Sequence, residues 1–233
     1  MGYKLYNKDN LDISVPSIDY ANKCDVIFAD YVYENLNFDW VNKYWLHLKD
    51  GGVFIAMTDF HSIFEFGSYM KQMPNAKFVN HLVWKNEWGN HPKDRFHQCF
   101  DDIVIFSKGN NHKFYPDRIQ IEKATANTKL NPSGRQTKTA TAFINDICLT
   151  TTSKERVKME DCHLVRWQKP LALINRILLP FTDEDDNVMD IFMGSGTVGE
   201  WCVLNNRNFI GIEKDKTIFN LAEQRIKNAN NRL

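Results

Sequence analysis

Gly194, Ser195 and Gly196 sit between an apolar run and a helix-forming stretch, and an acid, Glu213, follows about twenty residues on. That spacing lets a backbone approach a bound ligand closely, because any Cβ at the turn would hold the ligand off and such turns often need positive φ. The surrounding NVMDIFMGSGTVGEWCVLNNRNFIGIE (187–213) reads as a strand over Val188 to Phe192, a helix over Val198 to Asn206 and a second strand over Phe209 to Ile212. This is a β-α-β unit with its glycines where strand passes to helix, suited to a nucleotide-like ligand. A second acid, Asp30, closes another apolar run, CDVIFAD (24–30).

Gly194, Gly196 and Gly199 also fit the dinucleotide pattern G-x-G-x-x-G, so a nicotinamide site is the first rival. Position decides against it. A dinucleotide domain opens with this unit and continues through several strands. Here the last forty-odd residues hold only the unit's helix, one strand and an amphipathic helix from about Thr217 to Asn230. The other strands must come from the front of the chain.

They are present there as alternating signals. Tyr3 to Tyr6, Cys24 to Asp30, Val53 to Met57, Phe78 to Trp84 and Ile103 to Phe106 read as strands. Phe38 to Leu48, Ser62 to Met73 and Leu171 to Leu179 read as helices, the last stopped by Pro180, and Asp50-Gly51-Gly52 reads as a turn. The expected fold class is α/β, a Rossmann-like, seven-stranded, mostly parallel sheet with flanking helices. A chain of 233 residues, 43% of them hydrophobic, can bury such a core. Residues 110–158 break the rhythm, being polar and rich in Thr, Asn and Lys, and read as a small accessory insertion between 1–109 and 159–233.

Composition narrows the setting. No apolar run reaches bilayer length and residues 1–10 are polar, so no membrane partner is expected and the setting reads as cytoplasmic. Five scattered cysteines without a C-x-x-C pair read as reduced thiols, with no metal site. The zero net charge points to no partner, but Lys108, Lys113, Arg118, Lys123, Lys129, Arg135 and Lys138 face only Asp117 and Glu122 in their stretch. A basic surface and a solvated loop both account for that run.

A family resemblance rests on Gln168-Lys169-Pro170-Leu171, Asn175-Arg176-Ile177, Asp190-Ile191-Phe192-Met193-Gly194-Ser195-Gly196-Thr197, Arg207 and Ile210-Gly211-Ile212-Glu213, with support from residues 7–11 and DIVIFSKG (102–109). In that order they resemble the permuted (beta) class of DNA amino-methyltransferases, the N6-adenine/N4-cytosine type, over nearly the whole chain. The catalytic strand comes first and the cofactor turn last.

The resemblance implies S-adenosylmethionine as cofactor. Gly194, Ser195, Gly196 and Thr197 would cradle its methionine part with Asp190 and Phe192 nearby, and Lys169 near its carboxylate. Glu213 would take the ribose hydroxyls, and Asp9 is a further contact or a turn residue. The adenine amino group is a poor nucleophile, so the site must accept its N–H groups to free the lone pair for in-line attack. The family does this with Asp-Pro-Pro-Tyr; here Asp30 and Tyr33 hold the outer places, while Tyr31 and Val32 replace both prolines and Ile191 replaces a third. Asp30 is expected as the acceptor, with Tyr31 and Tyr33 as stacking rings. Asp rather than Ser in the first place points to adenine N6; cytosine N4, and a DNA-binding subunit without turnover, stay open.

The implied partner is double-stranded DNA with its target base flipped out. Contacts are expected from residues 89–95 and the basic run, and Trp84 and Trp88 read as core or as stacking rings. So short a recognition segment suggests a homodimer.

Overall fold

Continuous apolar runs dictate the centre of the sheet, because a strand covered on both faces has no polar side to alternate with. In the computed structural model, which describes residues 2–11, 22–31, 36–86, 92–149, 155–157 and 167–231, the most central run is β2 (Cys24–Asp30). It lies between β3 (Leu48–Thr58) and β9 (Asn187–Asp190), parallel to both. Beyond β9 come β10 (Asn208–Glu213) and β1 (Tyr3–Asn7), again parallel. Beyond β3 come β5 (Phe100–Lys108), antiparallel to both neighbours, and β4 (Ala76–Lys85). The order is β1-β10-β9-β2-β3-β5-β4-β8, where β8 (Phe143–Ile144) adds two residues at the edge. All seven expected strands are there.

Helices cover both faces. α3 (Leu171–Leu178), α4 (Thr197–Leu204) and α5 (Lys216–Asn230) bury Ile174, Ile177, Trp201, Phe219 and Ile226 against Val26, Phe28 and Ile55. α1 (Asp39–Trp45) and α2 (Ile63–Met70) bury Trp40, Tyr44, Phe66 and Met70 against Ile27, Ala29 and Phe54. No helix among the described residues is long and apolar enough to cross a membrane.

Sequence order reverses between β2 and β9: β2 leads to β3 on one side, and β9 leads to β10 on the other. Crevices outside the carboxyl ends of strands at such a reversal are where open α/β sheets hold ligands. Asp30 ends β2, Asp190 ends β9 and Glu213 ends β10, so three acids converge on that crevice.

Some boundaries differ from expectation. The helix expected over Phe38 to Leu48 stops at Trp45, and Leu48 opens β3. Asp50-Gly51-Gly52 lies inside that strand rather than in a turn. Gly51 takes φ +79° beside a register shift opposite Cys24/Val26, and a Cβ there would stand 2.8 Å from the Asn111 carbonyl oxygen. The strand expected to reach Phe192 ends at Asp190, whose carboxylate accepts the Phe192 N–H at 3.1 Å and turns the chain. Residues 110–149 form a separate two-stranded sheet, β6 (Gln120–Glu122) with β7 (Thr137–Thr139), and also supply β8 to the main sheet. Trp84 is fully buried and donates its indole N–H to the Ile147 carbonyl at 2.8 Å, so it is core.

Candidate active site

At the reversal point a cavity of about 300 Å³ opens. Its wall includes Asp30, Lys169, Asp190, Phe192, Gly194, Ser195, Thr197 and Glu213, which brings together most of the residues singled out from the sequence.

The glycine turn is held from below. Gly194 and Gly196 both take left-handed φ, +51° and +77°. A Cβ at Gly196 would stand 3.0 Å from the Ala222 Cβ, so α5 packs directly on the turn, whereas Gly194 is open and its glycine answers to φ alone. Arg225 of α5 reaches under the turn: Nη1 donates to Thr197 Oγ1 at 2.9 Å and to the Ser195 carbonyl at 3.3 Å, while Nε pairs with the buried Glu200 of α4. Sequence reading missed Arg225, because one arginine on an amphipathic helix looks like its wet face.

Glu213 is aimed by two backbone donors, Gly194 N–H to Oε2 at 2.9 Å and Asp215 N–H to Oε1 at 2.8 Å. Each oxygen keeps a second lone pair, and together these suit a pair of vicinal hydroxyls. Asp190, 2% exposed, lies deeper. Burial pushes its carboxyl well above the usual range and Asp30 and Glu213 add to that, opposed by the Phe192 N–H. Phe192 serves wall and core at once, meeting Trp40 edge-on at 5.2 Å.

Asp30 is not simply open to the cavity. Lys169 Nζ sits 2.8 Å from its Oδ2, and the lysine side chain is only 8% exposed. Lys169, expected near a cofactor carboxylate, is therefore bound to Asp30, two groups 139 positions apart that no local pattern would connect. Asp101 is near enough to sense both: burial pushes its carboxyl up to about 6, against the pull of Lys169 and the Asn86 side chain.

Two expected contacts fall elsewhere. Successive strand residues face opposite sides, so with Asp30 on the cavity face Tyr31 turns into the other. It is 3% exposed, stacks on Phe66 at 5.3 Å, and its hydroxyl bonds Thr58 Oγ1 at 2.8 Å and Ser62 Oγ at 2.9 Å. The ring is core and offers the cavity no stacking surface. Asp9 accepts the Leu11 N–H at 2.9 Å and closes a turn, while its neighbours Lys8 and Asn10 line the cavity. Gly196 backs the turn without lining it. Tyr33, Val32, Trp88 and residues 89–91 lie outside the described residues.

A family model described as DNA methylase, of the N6/N4 type, matches residues 28–224, a span holding every one of these cavity acids. The chain belongs to this N6/N4 DNA methylase family. Among curated relatives, the Type II methyltransferase M2.MboI of Moraxella bovis is 30% identical over 197 residues, 82% of this chain and 64% of the relative. The Type II methyltransferase M.HinfI of Haemophilus influenzae is 27% identical over 205 residues, 86% of this chain and 53% of the relative. This methylase-family chain thus spans about half to just under two thirds of the length of those relatives. Among solved structures, M1.HpyAVI superposes with TM-score 0.70 at 22% identity, over 96% of this chain and 98% of its own. The cytosine-N4-specific PvuII DNA methyltransferase superposes with TM-score 0.71 at 15% identity, over 100% and 92%. At those identities the likeness shows the shared fold.

The Lys169-Pro170 pair sits in a firmly held segment. Gln168 before it is buried, giving Nε2 to the Glu155 carbonyl at 2.7 Å and accepting the Val157 N–H at 2.9 Å. Pro170 caps α3, and Glu155 Oε2 accepts the Leu171 N–H at 3.1 Å, an anion at a helix start.

The basic run divides. Lys113 bridges Asp186 at 2.6 Å and Asp183 at 3.0 Å, and Arg118 pairs with Asp183 at 2.8 Å; these tie the insertion to the loop before β9. Arg118 above all, with Tyr115 and Lys113, holds the Asp183 carboxyl well below its usual range. Lys129, Arg135 and Lys138 are exposed.

Proposed function

We propose that this protein transfers a methyl group from S-adenosylmethionine to N6 of an adenine flipped out of double-stranded DNA. The observation that carries the reading is the placing of Asp30 in one cavity with the Gly194–Gly196 turn and Glu213, acceptor and cofactor groups together at a strand reversal.

The residues fit that cofactor: Glu213 offers two aimed oxygens for the ribose hydroxyls, and the open side of Gly194 leaves room for close approach of the methionine part. When bound, the cofactor supplies a sulfonium methyl. The chain's own part is to position the nucleophile. Asp30 accepts an N–H of the target amino group, drawing the nitrogen toward a tetrahedral shape and turning its lone pair to the methyl. With the cofactor bound, the N–C bond would form as the C–S bond broke, and the amine's proton would pass to solvent. Lys169 steadies the Asp30 carboxylate through Oδ2. Residues 110–158 serve as the target-recognition insertion, with exposed Lys129, Arg135 and Lys138 toward phosphates.

Labelled S-adenosylmethionine with mixed-sequence DNA, then digestion to nucleosides and chromatography, tests the reading. N6-methyladenine made by the wild type and absent from Asp30→Ala is the expected result. N4-methylcytosine would move the target to cytosine, and cofactor binding without either product would favour a DNA-binding subunit without turnover.

A further inference from the structure

Trp167 stands on the wall of the same cavity with its side chain out: the residue is 75% exposed, and its backbone takes φ +62°. Each feature is unfavourable alone. A large indole left in water forfeits the burial that tryptophan usually gains, and a bulky side chain in the left-handed region is a true outlier. Such strain persists only where the surroundings over-determine it, and it gathers at ligand sites.

The surroundings here do over-determine it. Gln168 is clamped to Glu155 and Val157, Lys169 is tied to Asp30 at 2.8 Å, and Pro170 begins α3. The chain immediately after Trp167 is therefore anchored, and the indole is displayed at the cavity rather than folded away. Two residues of chain reach at most about 7 Å, so the Trp167 backbone stays close to that of Lys169, whose ammonium reaches the Asp30 carboxylate. An extruded base needs an acceptor for its amino edge and a flat apolar surface for its face. Asp30 supplies the first, and Tyr31, buried in the core, does not supply the second.

We infer that Trp167 is a stacking platform for the flipped target base, an inference that rests on the methyl-transfer reading above. The cofactor's own adenine is a second planar purine that could claim the ring. Glu213, assigned to the ribose, ends β10, two strands from β2 and so roughly 10 Å across the sheet, while Trp167 is two residues from Lys169, the partner of Asp30. That neighbourhood favours the base, and the cofactor arm of the test decides between the two.

The test uses Trp167→Ala, Trp167→Gly and Trp167→Phe in the full chain. Calorimetry measures S-adenosylhomocysteine binding, and fluorescence anisotropy compares a labelled single-stranded oligodeoxyadenylate with an abasic strand of equal length. The wild type should prefer the base-bearing strand by about tenfold or more, Ala and Gly should abolish that preference, and Phe should keep most of it. Binding of S-adenosylhomocysteine should stay within about twofold of wild type in all three, set against the tenfold loss expected for a stacked ring removed. Trp167→Gly should melt at or above the wild-type temperature, since glycine takes φ +62° without strain, which separates lost stacking from lost folding.

A wild type without preference, a preference unchanged in Ala and Gly, or S-adenosylhomocysteine binding lost in step with it would overturn the platform; the last would give the ring to the cofactor. The two readings fail separately. If the wild type transfers no methyl but its base preference depends on Trp167, the methyl-transfer reading falls and the platform stands.

Discussion

Residues 187–213 and residues 110–149 are built on opposite terms. In the first, strand, turn and helix are almost wholly buried, the turn is pinned by Arg225, and the terminal acid is aimed by backbone N–H groups. In the second, three short strands carry a mostly exposed polar chain, fastened to the sheet by Lys113, Arg118, the Trp84 indole and β8. The contrast teaches where chemistry and packing coincide. A cofactor cradle must be rigid, so its residues double as core and leave a dense pattern; the insertion, which we propose meets DNA, carries exposed charge that packing neither requires nor marks.

The largest expected effect is on the buried side. Arg225→Ala removes the support of the turn and breaks the buried ion pair with Glu200, a residue 7% exposed. It should cost about 3–5 kcal/mol in chemical denaturation and weaken S-adenosylhomocysteine binding with it. A loss below about 1 kcal/mol would erase the claimed difference between the regions, since that is the range of an exposed pair.

A smaller effect comes from Asp101, whose carboxyl is raised to about 6 by burial. A carboxyl raised on folding contributes its stability in full below the unfolded value of 3.8 and loses it as pH rises through about 6. Asp101→Asn should therefore flatten the fall in stability between pH 4 and 7, by about 1–2 kcal/mol once partial exposure is allowed for. Urea titrations at stepped pH measure it; parallel curves for wild type and variant would contradict the buried-carboxyl account.

The smallest stability effect belongs to the insertion. Replacing Lys129, Arg135 and Lys138 together by alanine should shift stability by no more than about 0.5 kcal/mol. The same variant should weaken DNA binding alike across sequences and lower the slope of log affinity against log salt by up to about 3. An unchanged slope would remove these residues from the DNA surface.

The same contrast explains what was legible. The seven strands showed as apolar runs, and the turn as Gly194 and Gly196, whose φ values demand glycine. The two-residue β8 and the glycine bulge in β3 are too short or too irregular to have a period. Tyr31 was legible in principle, because period two puts it opposite Asp30, but its place in a motif drew it toward the cavity. The Lys169–Asp30 pair and the Arg225 clamp join distant segments and are written only in three dimensions. Trp167 carried no signal at all, since neither exposure nor a positive φ shows in a residue type.

The central claim, that the cavity at the ends of β2, β9 and β10 is the cofactor site, is tested most directly by titrating S-adenosylhomocysteine into wild type and Glu213→Ala in a calorimeter. Two charge-assisted hydrogen bonds to the ribose should be lost, so the Kd should rise by roughly a hundredfold or more. Equal Kd values in the two proteins, or no binding heat in the wild type, would contradict it.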